Sequence, residues 1–317
     1  MRAAYASRFD DADPLAALTV GDRPEPALPD DGWGVVEIRA SSLNHHDLWS
    51  LRGVGLRAEQ LPMILGCDAA GIGPDGGEVV VYPLVPTPGD PRGRSILSEY
   101  FPGTFAERVA VPLENLVPKP AELTFADAAC LPTAWLTAYR MLFSQSGLRP
   151  GNTVLVQGAG GGVATALIVL ARQAGFRVWV TSRSDSRAVR AVDLGAHQSF
   201  PSGARLPERV DAVMETVGAA TWSHSINALK PGGTLVICGA TSGDNPAKAE
   251  LTKIFFKPLR VIGSTMGTRD ELITLTRMLV ATGIRPVIDR TLPLAEAREG
   301  FAAMINGDVF GKIVFEP

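Results

Sequence analysis

One segment limits what this chain can fold into more than any other: TVLVQGAGGGVATALIVLARQAG, residues 153–175. Residues 153–157 read as a buried strand and 163–174 as a helix, with Gly158, Ala159, Gly160, Gly161 and Gly162 between them. A strand that turns this sharply into a helix needs backbone at positive φ, which glycine adopts without a Cβ clash. The first helical turn then presents N–H groups and the positive end of the helix dipole, a seat for a pyrophosphate. Glycines alone are a weak signal, but strand, turn and helix in this order predict a dinucleotide-binding unit. Gly158, Gly160, Gly161, Gly162 and Val163 are the expected contacts. Ala164 is small enough to let the helix pack close to the strand.

The next strand, 177–181, runs into Ser182, Arg183 and Ser184. A site for NAD usually places Asp or Glu here to accept from the ribose 2′-hydroxyl. No acid precedes Asp185, and hydroxyls with a guanidinium suit the 2′-phosphate of NADP. Ser182 and Arg183 are therefore expected to select NADP(H). On the other reading Arg183 is solvated and Ser184 caps the following helix. Strand and helix patterns then alternate: helix 185–194, strand 210–215, helix 219–229, strand 233–238, helix 247–256, strand 259–264. Continuous apolar strands separated by helices imply a parallel sheet covered on both faces and doubly wound.

The flanking segments follow another pattern. Residues 35–40, 78–82 and 104–112 are short strand candidates, and Pro83, Pro86, Pro88 and Pro91 mark a surface loop. This predicts an antiparallel, partly open β-structure. Residues 124–143 have helical spacing broken by Pro132, so the pattern changes near 124. It changes again near 260, with helices expected at 269–281 and 294–305 and a closing strand at 311–315. A chain of 317 residues suggests about two domains. Lys plus Arg (30) against Asp plus Glu (33) leaves a net charge of -3, which offers no field for nucleic acid or an anionic membrane. No apolar run approaches the length of a membrane span and no leader pattern opens the chain, so the cytoplasm is expected. Three cysteines do not make a disulfide framework.

Seven segments together resemble the medium-chain dehydrogenase/reductase superfamily, in particular its zinc-free, quinone oxidoreductase-like branch. They are LNHHDLW (43–49), PMILGCDAAG (62–71), GTFAERVAVP (103–112), LPTAWLTAY (131–139), the glycine turn, LKPGGTLVICG (229–239) and FGKIVFEP (310–317). The resemblance implies an α/β fold. A GroES-like, β-rich catalytic domain (1–123 and 261–317) would carry an inserted Rossmann domain with a doubly wound parallel sheet (124–260). It implies that Thr133 and Thr137 lie near the nicotinamide. It adds Gly239, Ala240, Thr241, Ser264, Thr265 and Met266 as cofactor contacts, and Lys312 as a residue reaching the cofactor phosphates. It also implies a homodimer joined through the edge strands of the Rossmann sheets, with 259–264 as the candidate edge.

The zinc enzymes of this superfamily hold a metal with a Cys, a His in a Gly-His-Glu run, and a further Cys or acid. The matching positions here are Asn44, Gly66-Cys67-Asp68 and Thr133, and residues 83–102 lack the four cysteines of a structural lobe. A catalytic zinc needs three good protein ligands, so no metal is expected. A rearranged site drawing His45 or His46 to Cys67 and Asp68 is the alternative. Hydride transfer would then rely on the nicotinamide, with the protein supplying orientation and a donor for developing negative charge. Asn44 would donate to a substrate oxygen and His46 would carry a proton, with Asp47 orienting a neighbour or capping a local helix. The expected reaction is NADPH-dependent reduction of a small molecule, a quinone or an activated C=C or C=O bond. A metal-dependent alcohol dehydrogenase and a non-catalytic NADPH-binding redox sensor are the competing readings.

Overall fold

The ten residues Trp33–Ser42 largely alternate buried and exposed side chains, as a strand covered on one face must. They are the spine of a seven-stranded sheet in the computed structural model, which describes residues 1–317. The order is Leu116–Pro118, Glu78–Val81, Asp68–Ile72, Trp33–Ser42, Lys312–Glu316, Ile288–Pro293, and Arg108–Pro112 pairs with the first half of Trp33–Ser42. Only the last pair in that order, Ile288–Pro293 with Lys312–Glu316, is parallel. A smaller sheet joins Leu18–Asp22, Arg2–Ala6 and Met63–Ile64. Between the layers Phe105 meets Phe315 edge-on at 5.1 Å and Phe301 edge-on at 6.0 Å, the arrangement that aromatic quadrupoles favour. These elements form one unit, Met1–Thr133 with Thr268–Pro317.

The second unit is Ala134–Gly267. Its six strands run in the order Gln198–Pro201, Arg177–Ser182, Thr153–Val156, Val210–Glu215, Leu229–Ile237, Arg260–Gly263, and every pair is parallel. The chain winds one way from Thr153–Val156 and then the other way from Val210–Glu215. That reversal makes the switch point at which open α/β sheets bind ligands, beyond the carboxyl ends of their strands. Helices Gly162–Gln173, Asp185–Asp193, Trp222–Ala228 and Leu251–Phe256 supply the crossovers. No helix of the chain is long and apolar enough to cross a membrane.

Two elements and the unit boundaries differ from the sequence expectation. Strand Gln198–Pro201 lies at the sheet edge with no buried residue, so it carries no apolar run to betray it. The expected helix at 124–143 is Phe125–Ala129 followed by two wide π segments, Leu131–Trp135 and Arg140–Gln145, around Leu136–Tyr139. Pro132 has no N–H for the ordinary helical bond, and a wider turn accommodates its ring. Helix Phe125–Ala129 packs on Trp33–Ser42 and Asp68–Ile72. The first unit therefore extends to Thr133, past the boundary expected at 123, and the second to Gly267, past 260.

Candidate functional site

In the first unit a polar centre forms where the sheet meets a short helix. Ser42 and Asp68 are direct cross-strand partners, and Ser42 also faces Val314 of the strand that Lys312 opens. Asp68 is fully buried. Its Oδ1 accepts from Thr133 Oγ1 at 2.5 Å, and its Oδ2 accepts from Asn44 Nδ2 at 2.8 Å and Ser42 Oγ at 3.0 Å. Lys312 Nζ stands 3.5 Å from that Oδ2 and donates to Asn44 Oδ1 at 2.6 Å and Leu43 O at 2.7 Å. A buried ion pair of this kind persists because its remaining donors and acceptors are satisfied.

Asn44 also precedes helix His45–Leu51. Its N–H donates to Asp47 Oδ2 at 2.9 Å, while Asp47 Oδ1 accepts from Gly66 N at 2.9 Å, so the buried Asp47 caps the helix and pins it to the neighbouring loop. The second amide hydrogen of Asn44 points at Ser42 O, 3.3 Å away. Both hydrogens and the oxygen of the Asn44 amide are thus engaged inside the unit. The sequence expectation had this amide donating to substrate. His46 differs: its Nε2 is buried with no partner, while His45 is exposed. Burial lowers the His46 pKa, and the carboxylates of Glu99 and Asp68 work against that shift. Glu99 sits in the loop after the hairpin Leu84–Pro86/Arg94–Ile96, tied by Arg92, which also grips Asp90.

A zinc ion does not fit these residues. Asn44 and Thr133 are poor ligands, Asp68 is engaged by four side chains, and Cys67 lies fully buried in an apolar cluster where burial pushes its thiol well up. No three His, Cys, Asp or Glu side chains converge anywhere in the chain.

Burial pushes the Asp47 carboxyl up to about 7, against the pull of its two backbone N–H bonds. The folded chain therefore holds this proton more tightly than the unfolded chain, in which an aspartate titrates at about 3.9. The contribution to stability is whole below about pH 4 and is lost as the pH rises to about 7, about 4 kcal/mol in all. In urea unfolding across that range, the native chain should lose stability relative to Asp47→Asn as the pH rises. Parallel pH slopes in the two proteins would refute the assignment.

In the second unit the sequence-predicted cofactor residues gather at the carboxyl ends of the strands. Gly158, at φ +83°, makes the turn after Thr153–Val156. Gly161 precedes the twelve-residue helix Gly162–Gln173 with no side chain capping it, so the first amides, Val163's included, are left to a ligand. Gly160 is buried, and a Cβ there would lie 3.1 Å from Arg187 Cδ and Nε. Ser182 ends its strand and bonds the backbone of Ser184, which caps helix Asp185–Asp193, while Arg183 is exposed. Gly239, Ala240 and Thr241 follow Leu229–Ile237, and Ser264, Thr265 and Met266 follow Arg260–Gly263. Thr137 is buried in Leu136–Tyr139. These residues fit a dinucleotide. Lys312 belongs to the first unit, where its ammonium has its partners in the polar centre.

Two features escaped the sequence reading. Arg187, which the sequence does not single out, lies across Gly160. A buried network also braces the turn. Gln157 Oε1 accepts from Thr181 Oγ1 at 2.6 Å, and its Nε2 donates to Ser225 Oγ at 2.9 Å and meets His224 Nδ1 at 2.8 Å. Ser225 Oγ in turn donates to Glu215 Oε2 at 2.5 Å, and Glu215 Oε1 accepts from Val217 N and Gly218 N. This ties three strand ends together at the switch point.

Comparison with known proteins agrees with the two-unit architecture. Residues 30–121 match the family described as alcohol dehydrogenase GroES-like domain, and residues 162–281 the family described as zinc-binding dehydrogenase. A zinc-type alcohol dehydrogenase-like protein of Schizosaccharomyces pombe is 30% identical over 312 residues, covering 89% of this chain and 90% of that one. The quinone oxidoreductase of Mus musculus is 26% identical, covering 88% of this chain and 87% of its own. A crystal structure of an NAD-dependent alcohol dehydrogenase superposes with a TM-score of 0.87 at 31% identity, covering all of both chains. With a GroES-like unit, a Rossmann-type unit and relatives at this level over nearly its whole length, the chain belongs to the medium-chain dehydrogenase/reductase superfamily of oxidoreductases.

Proposed function

We propose that this protein is a zinc-independent, NADPH-dependent reductase acting on a quinone or on an activated C=C or C=O bond. The observation that carries the reading is the polar centre. At the family's metal positions the side chains bond one another, and His46 Nε2 is left as the centre's buried polar atom without a partner. The nicotinamide, when bound, supplies the hydride. The glycine turn and the first turn of Gly162–Gln173 hold its pyrophosphate, with Arg183 and Arg187 taking the 2′-phosphate. His46 donates to the acceptor oxygen as negative charge develops there, and a proton completes the reduction. The murine quinone oxidoreductase supports the acceptor class. A turnover screen with NADPH against NADH on quinones, 2-alkenals, enones, aldehydes and ketones tests the proposal. Turnover that requires stoichiometric, chelator-sensitive metal would overturn it, as would a preference for NADH.

We further assign the protein to the cytoplasm, since its three unpaired cysteines suit a reducing compartment. Its assembly is a homodimer joined at the edge strand Arg260–Gly263. That strand pairs on one side only, and beside it Phe255 and Phe256 are 64% and 75% exposed, with Leu251 at 68%. Light scattering should give a dimer for the native chain and a monomer for Phe255→Ser/Phe256→Ser. A native monomer would refute this.

A further inference from the structure

We propose that Lys312 is a positioning residue of the reaction centre, acting through Asn44 to hold His46 in place. The proposal rests on the reading of His46 given above.

The backbone delivers Lys312 into the interior by a turn that glycine alone makes comfortably. Gly311 has φ +106°, and a Cβ there would stand 2.2 Å from Val287 O. The same carbonyl accepts the Lys312 N–H at 2.9 Å, and strand Lys312–Glu316 begins. The ammonium is a three-donor group with no acceptor. Leu43 O, Asn44 Oδ1 and Asp68 Oδ2 face it, and the residue is 2% exposed. The set is complete within this unit, which separates Lys312 from the phosphate role the family resemblance suggests.

Its contact with Asn44 decides which way that amide points. With Oδ1 drawn to the cation, Nδ2 turns to Asp68 Oδ2 and Ser42 O. The flipped amide would set its NH2 against the ammonium and its oxygen against the carboxylate, two repulsions in place of two bonds. Lys312 and Asp68 therefore lock one of two orientations of Asn44, and Thr133 and Ser42 hold Asp68 in turn. Asn44 is the residue before helix His45–Leu51, which has only seven residues. A helix this short has little stability of its own. What fixes Asn44 at its N-cap fixes His46 two positions on.

The test is a set of variants read by binding and turnover together. K312M should lower kcat about thirtyfold while the Kd for NADPH, from fluorescence titration, stays within about twofold. K312R should recover most of the loss. N44A should cost about as much as K312M, and N44A/K312M no more than either alone, because the two act in series. Should K312M leave Asp68 too exposed to imbalance for the chain to fold, D68N/K312M restores a neutral pair, and low kcat with unchanged Kd is expected there also. NMR of the Asn44 side-chain amide reads the lock without turnover: slowly exchanging amide protons in the native protein should exchange fast in K312M. A rise of about tenfold or more in the NADPH Kd at unchanged saturated kcat would overturn the proposal, as would multiplying losses in the double variant. So would an Asn44 amide signal that K312M leaves unchanged. If the native protein reduces no acceptor, the functional reading fails, while the amide signal still decides the lock.

Discussion

Replacing Arg183 and Arg187 together by alanine should weaken NADPH binding about a hundredfold and leave NADH within about twofold. A charge-assisted hydrogen bond contributes about 1.5–3 kcal/mol, and two guanidiniums on one phosphate reach that range even when partly solvated. The structure gives the pair unequal parts. Arg187 lies across Gly160, within 3.3 Å of where a Cβ would sit, so its stem packs on the turn proposed to seat the pyrophosphate. Arg183 is exposed at the end of Arg177–Ser182 and has more orientational entropy to lose. Arg187→Ala should therefore account for most of the loss. Calorimetry with 2′,5′-ADP and 5′-AMP isolates the 2′-phosphate from the rest of the cofactor. If both fragments lose affinity equally in the double variant, the arginines read the pyrophosphate and the NADPH preference loses its physical basis.

That pair also shows what a sequence exposes and what it conceals. Arg183 stands out in the sequence because the motif directs attention to the residues after Arg177–Ser182. Arg187 carried no such signal. It lies in the first turn of Asp185–Asp193 beside the acidic Asp185, which suits the helix dipole, so the position shows only once the helix is folded back on the glycine turn. The parallel sheet was readable because each strand–turn–helix step is local and periodic, and Gln198–Pro201 escaped because a polar edge strand has no apolar period. The polar centre is another matter. Lys312 reaches Asn44 across 268 residues and Thr133 reaches Asp68 across 65, and contacts at such separations leave no trace in spacing. The role of Asn44 as a donor to substrate came from the family resemblance, which carries no information on its partners in this chain. The partners show both Asn44 amide hydrogens bonded within the unit and His46 Nε2 buried without one.

His46→Phe should lower kcat by about a hundredfold or more at unchanged NADPH affinity, since a positioned donor or acid contributes about 10²–10⁴. His46→Gln should retain part of the rate, because its amide still donates, yet it cannot titrate. The pH profile separates these roles. Burial holds the His46 pKa below the ordinary 6.5, so the ring is largely neutral at physiological pH and serves as a hydrogen-bond donor. As the pH falls through that lowered value the imidazolium forms, a stronger donor that also carries the proton the reduced acceptor needs. The reductive kcat should therefore rise toward acid with a midpoint below 6.5, and His46→Gln should flatten the rise. Glu99→Gln should move the midpoint lower still, since the Glu99 carboxylate, held by Arg92, opposes the effect of burial on His46. A rise toward acid that persists unchanged in His46→Gln would place the proton donor elsewhere. Because Asp68 also acts on His46, the shift from Glu99→Gln should be partial, and it should be accompanied by little change in KM if Glu99 acts through the imidazole and not on the acceptor.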